Sequence, residues 1–291
     1  MACRRYCTQG LDIVPLDLQD HSEDIQCNQT DNHRGKPCPA RPEIDTMADT
    51  PRSCLIVGAG DATGSAVARA FAREGLVACP VRRERSADKL EALAQSIRDE
   101  GFQAQAFPAD ARDEDAVIAL VEQVEAEVGP IEVAVFNIGG NVAFPITEMT
   151  ARVYQKVWEM AAFAGFLVGR EVARRMVTRE RGTIIFTGAT ASTRGRPGMA
   201  AFAGAKHALR ALAQSMAREL GPKNIHVAHT IIDGAIDTAF IRERIPDAEA
   251  RVAEDLILDP AHIAEAYVML HRQPRTAWTH ELDLRPWGEP W

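Results

Sequence analysis

The chain has 291 residues, of which 46% are hydrophobic and 25% charged, so it can bury the core of one large α/β domain more simply than two small ones. Its net charge of −8 at pH 7 argues against a nucleic acid or an anionic membrane as the main partner, because both attract concentrated positive charge. No apolar run approaches the roughly 20 residues that span a bilayer and the first residues lack the apolar core of a secretory signal, so we expect a cytoplasmic protein that binds a small molecule.

The first 46 residues are rich in polar and charged side chains and show little hydrophobic periodicity, so we expect this extension to be disordered. Four cysteines fall in it, and a zinc site that also recruits His21 or His33 is the less favoured alternative. The cysteine spacings match no usual set of zinc ligands, and we predict no metal site. Met47 opens the segment patterned like a domain, which we assign to residues 47–291.

After Met47, short apolar runs alternate with longer amphipathic runs. That order predicts a doubly wound α/β fold: one parallel sheet of about seven strands with helices on both faces. The predicted strands cover residues 54–57, 77–81, 103–107, 131–136, 183–187, 225–232 and 281–284. The predicted helices cover residues 63–74, 87–100, 114–128, 150–178, 199–220 and 260–271, and residues 237–258 form an irregular or helical insertion.

The first predicted strand runs into a glycine-rich turn, Gly58-Ala59-Gly60-Asp61-Ala62-Thr63-Gly64, which leads into the first helix. Backbone amides at a helix start, helped by the helix dipole, hold a pyrophosphate, and glycines let the phosphate come close. Alone, this turn is equally compatible with an ordinary tight turn. Its place directly after the first strand favours a phosphate site.

Two further groups follow predicted strands. Asp110 and Ala111 follow the third strand, and Asn137, Ile138 and Gly139 follow the fourth. Taken alone, Asp110 would be interpreted as a helix cap and Asn137 as a turn residue. Together with the glycine-rich turn, in order and at the right strand ends, they favour a nucleotide site.

Arg82 and Arg83 stand at the end of the second predicted strand, where an acidic residue would bind the ribose hydroxyls of NAD. An unopposed arginine pair suits the 2′-phosphate of NADP, so we predict NADP(H) rather than NAD(H). Two alternatives stay open. Asp61 in the turn repels the phosphate or neutralises Arg82, or the two arginines are a solvated charge pair.

From the glycine-rich turn to the last predicted strand, the chain resembles the short-chain dehydrogenases/reductases. Phe202-Ala203-Gly204-Ala205-Lys206 stands in the place of that family's Tyr-x-x-x-Lys motif. The turn resembles its Gly-x-x-x-Gly-x-Gly motif, with Ala62 at the middle glycine. The resemblance implies a Rossmann-type fold, a nicotinamide cofactor, an adenine contact from Asp110 and an oxidoreductase acting on a small molecule.

In this family a tyrosine exchanges a proton with the substrate oxygen, a serine orients that oxygen, a lysine lowers the tyrosine pKa and holds the ribose, and an asparagine supports a water chain. Aligned on the motifs, the tyrosine is Phe202, the serine is Ala189 and the asparagine is Ala162. Only Lys206 is retained, and a plain surface lysine is its alternative interpretation. The resemblance therefore implies a cofactor site without the family's usual carbonyl chemistry.

Gly234, Ile236 and Thr238 match the family's Pro-Gly-x-Ile-x-Thr segment, which grips the nicotinamide and the phosphates, and Asp233 replaces the proline. Asp233 either caps the following turn or faces the substrate, and Thr190 either binds a substrate oxygen or satisfies local backbone. In a hydride-transferring enzyme these two residues or water would manage protons. The competing hypothesis is an NADP(H)-binding sensor or partner subunit without turnover.

The predicted helices at 150–178 and 199–220 are apolar on more than one face, and the chain ends in a segment with Trp287 and Trp291. Such surfaces are seldom left in water, which predicts a homodimer or homotetramer. The resemblance implies that the same two helices form the subunit contact. In the insertion, Arg242, Arg244 and Arg251 suggest an anionic substrate or, equally, a solvated face.

Overall fold

The computed structural model describes residues 50–289, and the prediction of disorder for residues 1–46 lies outside them. Its seven strands form one parallel sheet in the order β3-β2-β1-β4-β5-β6-β7, which confirms the predicted fold class. The strands are β1 (Ser53–Val57), β2 (Val77–Arg82), β3 (Phe107–Pro108), β4 (Ile131–Phe136), β5 (Gly182–Thr187), β6 (Ile225–Ile232) and β7 (Glu281–Leu284).

Helices cover both faces of the sheet. Two of them begin at capping aspartates: Asp113 and Asp259 each accept a hydrogen bond from a backbone amide of the first turn, and Pro260 follows Asp259 at the first helical position. The helices are α1 (Thr63–Arg73), α2 (Ala87–Asp99), α3 (Glu114–Glu127), α4 (Ala151–Trp158), α5 (Ala164–Thr178), α6 (Ala200–Leu220), α7 (Ala239–Arg242), α8 (Ala248–Ala253) and α9 (Pro260–Arg272).

The alternation of side chains along β1 divides the core into two layers. Leu55 and Val57 pack with apolar side chains of α3, α5 and α6, whereas Cys54 and Ile56 pack with those of α1, α2 and α9. Both faces are therefore apolar, as expected for parallel strands covered by helices on each side. Cys54 is a small buried hydrophobe, and burial raises the pKa of its thiol well above the usual value.

Two elements differ from the sequence prediction. The third strand is short, because only Phe107 and Pro108 pair with β2 and Ala104 adds an isolated bridge to Ala78. As the edge strand it has a partner on one side only. The helix predicted at 150–178 is interrupted by one π-helical segment, Glu159–Phe163, a feature often found at functional sites.

Within the described residues, no helix combines the length and the apolar character that crossing a membrane requires. No group of three or more His, Cys, Asp or Glu side chains suited to a metal ion occurs there either. The four cysteines before Met47 lie outside these residues.

Candidate active site

The carboxyl ends of β1, β4, β5 and β6 open into a cleft of about 1790 Å³, which the insertion after β6 borders. A crevice at this edge is where open parallel sheets bind ligands. Most of the residues singled out in the sequence line it: Gly60, Asp61, Ala62, Thr63, Gly64, Asn137, Gly139, Ala189, Thr190, Phe202, Lys206, Gly234, Ile236 and Thr238.

The glycine-rich turn is packed closely against the neighbouring strand end. Gly58 has a φ of +94°, and a Cβ there would lie 2.8 Å from the carbonyl of Asn137. A Cβ at Gly64 would lie 2.6 Å from the Cα of Ala59. Asn137 fixes the turn by donating from Nδ2 to the Gly58 carbonyl at 3.1 Å. The start of α1 therefore borders the cleft from a turn whose close packing requires glycine at positions 58 and 64.

Lys206 is anchored at the centre of the cleft. Its side chain is only 2% exposed, which excludes the surface-lysine interpretation. Nζ donates to the carbonyl of Ile138 at 3.0 Å and to that of Thr187 at 2.6 Å, so it joins the ends of β4 and β5. Burial lowers the pKa of Lys206 to about 7, because a desolvated ammonium is penalised.

The three other positions of the family's catalytic set form an apolar group. Phe202 and Ala162 are buried in one hydrophobic cluster, and Ala189 packs against it. The ring of Phe202 lies with its centroid 6.0 Å from Lys206 Nζ. Ala162 falls in the π-helical segment and does not line the cleft itself. At these three positions the site has no side-chain oxygen.

The carboxylate of Asp233 binds side chains of the loop after β5. It is 3% exposed and lies behind the wall of the cleft. Its carboxylate accepts a hydrogen bond from Thr190 Oγ1 at 2.6 Å and two from Arg194 Nη2 at 3.1 and 3.3 Å. Thr190 and Arg194 both line the cleft, so Asp233 acts on the site through them.

The residues predicted for the adenosine side lie away from the main cleft. Arg82 Nη1 donates to Asp61 Oδ1 at 2.8 Å, so the carboxylate of the turn already pairs with this arginine. Both oxygens of Asp110 accept hydrogen bonds from Arg112, which lowers the pKa of Asp110. Of the predicted cofactor-binding residues, those that do not line the main cleft are Gly58, Arg82, Arg83, Asp110, Ala111 and Ile138.

Arg83 and Ala111, predicted for the same side of the site, are both removed from solvent in part or in full. The pKa of Arg83 is lowered by burial first and then by repulsion from Arg85 and Arg112. Ala111 is a buried part of the core. Asp110 and Arg112 border a second, smaller depression of about 520 Å³.

Residues 52–249 match the family model of the short chain dehydrogenases. The chain belongs to the short-chain dehydrogenase family. A solved short-chain dehydrogenase from Rhodopseudomonas palustris is 47% identical with a TM-score of 0.69, over 81% of this chain and 99% of that chain. The 2-dehydro-3-deoxy-D-gluconate 5-dehydrogenase of Formosa agariphila is 30% identical over 226 residues, which are 73% of this chain and 85% of the relative. A solved NAD+-bound xylitol dehydrogenase is 26% identical with a TM-score of 0.72, over 81% of this chain and 98% of that chain.

The match to the family model confirms the resemblance seen in the sequence. This short-chain dehydrogenase is thus an oxidoreductase-family member with an NAD(P)-binding Rossmann fold. Its helical segments at 151–178 and 200–220 carry Ala162, Phe202 and Lys206, and its insertion borders the cleft.

Four arginines that line the cleft of this short-chain dehydrogenase were not identified from the sequence: Arg69 and Arg73 on α1, and Arg194 and Arg196. Arg194 and Arg196 line the cleft from the loop after β5. Their position after a strand, at the edge where parallel strands end, was the pattern that could have found them. Of the insertion's arginines, Arg242 pairs with Asp237 at 2.6 Å, Arg244 lies 3.5 Å from the ring centroid of Phe240, and Arg251 lines the cleft.

Proposed function

We propose that this short-chain dehydrogenase binds NADP(H) in the cleft and transfers hydride to or from a small organic molecule without a tyrosine acid. The observation that carries the proposal is Lys206, which is buried at the cleft centre while Phe202 stands one helical turn before it. Burial alone lowers the pKa of Lys206 to about 7, so burying this lysine reduces the stability of the fold. Holding a cofactor is a function that explains why the lysine is buried.

The chain's own residues would hold the cofactor as follows. The amides at the start of α1, after Gly60 and Ala62, would bind the pyrophosphate, and Asn137 would keep the turn in shape. In its protonated form Lys206 has a third N–H beyond its two carbonyl bonds, which would be available to the ribose. Gly234, Ile236 and Thr238 would border the nicotinamide end. The bound nicotinamide supplies or accepts the hydride.

Proton handling would fall to the Thr190–Asp233 pair. Thr190 lines the cleft, and its Oγ1 donates to Asp233 Oδ1 at 2.6 Å. A hydroxyl held in this way has two acceptor lone pairs for a substrate or water proton, and the carboxylate behind it fixes its orientation. Asp233 is therefore a positioning residue in this proposal, and Thr190 is the residue that would contact the substrate.

A second candidate is an NADP(H)-binding sensor or partner subunit without turnover. It is favoured by the apolar cluster at Ala162, Ala189 and Phe202, which leaves the carbonyl-activating positions without a donor. NADPH oxidation by the purified protein, measured with a panel of carbonyl and imine substrates, separates the two functions. Turnover of any one substrate supports hydride transfer, and tight NADPH binding without turnover supports the sensor.

A cytoplasmic location remains the prediction made from the sequence.

We predict that the protein binds NADPH more tightly than NADH and that Asp61→Asn increases the preference by about two- to fivefold. The exposed Asp61–Arg82 pair competes with the 2′-phosphate for the arginine, and exposed ion pairs carry energies that correspond to such factors. Arg82→Asp should reduce NADPH affinity about tenfold or more without weakening NADH, because an acidic side chain at this strand end can bind the ribose hydroxyls of NAD. Fluorescence titration of both cofactors measures these ratios.

Arg85→Asp is the matched control, because Arg85 is an exposed arginine of the same segment beyond the strand end. It should change the ratio of the two affinities little. Equal affinities of the unmodified protein for both cofactors, or a preference for NADH, would contradict NADP(H) specificity.

A stack of aromatic side chains lies on the helical stretch that spans α4 and α5, and it supports the proposal that the protein forms a homo-oligomer. Trp158 stacks on Phe163 with centroids 5.9 Å apart, and Phe163 stacks on Phe166 at 6.2 Å. Trp158 is 42% exposed and Tyr154 43% exposed on the same stretch. A row of exposed aromatic side chains is typical of a protein interface, and a second copy of the chain is the partner that we propose.

We expect Trp158→Asp to shift the protein from dimer or tetramer to monomer at micromolar concentration, because a charge in an apolar contact is desolvated without a partner. Light scattering coupled to size exclusion gives the mass. Phe240→Asp is the control, since Phe240 is a comparably exposed aromatic residue of the insertion and should leave the mass unchanged. A monomeric unmodified protein would rule out this interface.

A further inference from the structure

The loop after β5 gives the cleft a positively charged wall. Of the residues from 187 to 206 that line the cleft, the charged ones are Arg194, Arg196 and Lys206, and all three are basic. Acidic side chains line the cleft only from the glycine-rich turn, the insertion and the residues after it. The wall beside Ala189 and Phe202 is therefore positive, with no carboxylate facing it from its own segment.

Arg194 is held in place from behind. Its Nη2 donates to both oxygens of Asp233, which is 3% exposed and also accepts from Thr190. Nε and Nη1 of Arg194 have no hydrogen-bond partner among residues 50–289, and the side chain is 40% exposed. A buried carboxylate thus fixes one end of the guanidinium, while its remaining donors are free for a ligand in the cleft.

Arg196 adds a second charge to the same wall. Within the described part of the chain, no carboxylate lies within ion-pair distance of it, although most arginines of this protein are paired. Arg194 and Arg196 are two residues apart and both line the cleft, so a negatively charged group at this wall would be attracted by both guanidinium groups. The arrangement at Arg194 and Arg196 is complementary to a negatively charged group.

We propose that Arg194 and Arg196 form a substrate anion subsite that binds the carboxylate of a small organic acid. The planar guanidinium matches the two oxygens of a carboxylate, and phosphate, which it can also bind with two oxygens, is compared in the test below. Asp233 and Thr190 are positioning residues that hold Arg194. That this acid is also the hydride-transfer substrate rests on the proposed function; the anion site itself does not.

The test uses the full-length protein without added cofactor, so that a failure of NADPH binding does not affect it. Pyruvate and 2-oxoglutarate are titrated against the neutral analogue pyruvamide by ligand-observed NMR at constant ionic strength. We expect at least one acid to bind about tenfold or more tightly than the amide, a difference equal to one charge-assisted contact. Arg194→Ala should abolish that difference, and Arg194→Lys should recover only part of it.

Arg275→Ala is the control, because Arg275 is exposed and outside the cleft, and it should bind the acids as the unmodified protein does. If Arg194→Ala unfolds, Arg194→Lys and Arg196→Ala carry the test. Equal binding of acid and amide, no binding of either, or unchanged acid binding in Arg194→Lys would overturn the proposal. Tighter binding of inorganic phosphate than of both acids would overturn the assignment of a carboxylate.

Discussion

Ala189→Ser combined with Phe202→Tyr is expected to raise NADPH-dependent reduction of small ketones by about 10²-fold or more over the unmodified protein. A tyrosine at 202 restores a general acid, which contributes about 10² to 10⁴ in rate, and a serine at 189 restores a donor to the substrate oxygen. The partner is already present, since Lys206 Nζ lies 6.0 Å from the centroid of the ring that would carry the new hydroxyl. Steady-state NADPH oxidation measures the gain.

The recovery should be partial, because Ala162 still lacks the amide that supports the family's water chain. Either substitution alone should gain much less, since residues that act as a unit contribute together. Lys206→Met in the double variant is the control and should abolish the gain. If the unmodified protein already reduced simple ketones at about 1 to 10³ per second, another group would supply the proton, and Thr190 with Asp233 would be the first to test.

The second large effect concerns stability and pH. Relative to Lys206→Met, the unmodified protein should gain stability by up to about 1.4 kcal/mol per pH unit between pH 7 and 10. The pKa of Lys206 is about 7 in the folded protein and 10.5 when solvated, so between these values the unfolded chain binds the extra proton. The unfolding free energy therefore rises with pH in this window, and this gain is lost as the pH falls back through 7, below which Lys206 is protonated in both states.

Urea unfolding of both proteins at several pH values gives the difference directly. Lys223→Met is the matched control, because Lys223 is exposed and should show no such slope against the unmodified protein. A difference between the unmodified protein and Lys206→Met that stays constant from pH 7 to pH 10 would show that Lys206 remains charged in the fold.

The sheet could be predicted because its strands are buried on both faces and read as continuous apolar runs. Ile131–Phe136 and Ile225–Ile232 lie where their sequences indicate, to the residue. The extent of the edge strand β3 could not be predicted. A strand that is paired on one side only needs fewer apolar residues, and its length depends on how far the neighbouring strand offers partners. The π-helical segment at Glu159–Phe163 leaves no distinct pattern, since its side chains also suit an α-helix.

Within the site, the sequence predicted the features that depend on backbone conformation or on a motif. The glycine-rich turn was predictable because its close packing at Gly58 and Gly64 permits only glycine, and Lys206 was predictable from its spacing to Phe202. The partners of charged side chains were not predictable. Asp233 meets Arg194 and Asp110 meets Arg112 through contacts that depend on where loops and strand ends lie in space.

The π-helical segment joins two parts of the molecule that otherwise look separate. Ala162 packs inward with Phe202, and the next residue, Phe163, belongs to the outer aromatic stack with Trp158 and Phe166. If two copies associate through that stack, a substrate that shifts Ala162 also shifts the contact between them. Thermodynamic reciprocity then requires association to change substrate affinity by the factor with which substrate changes association. The segment would make subunit pairing a modulator of the cleft.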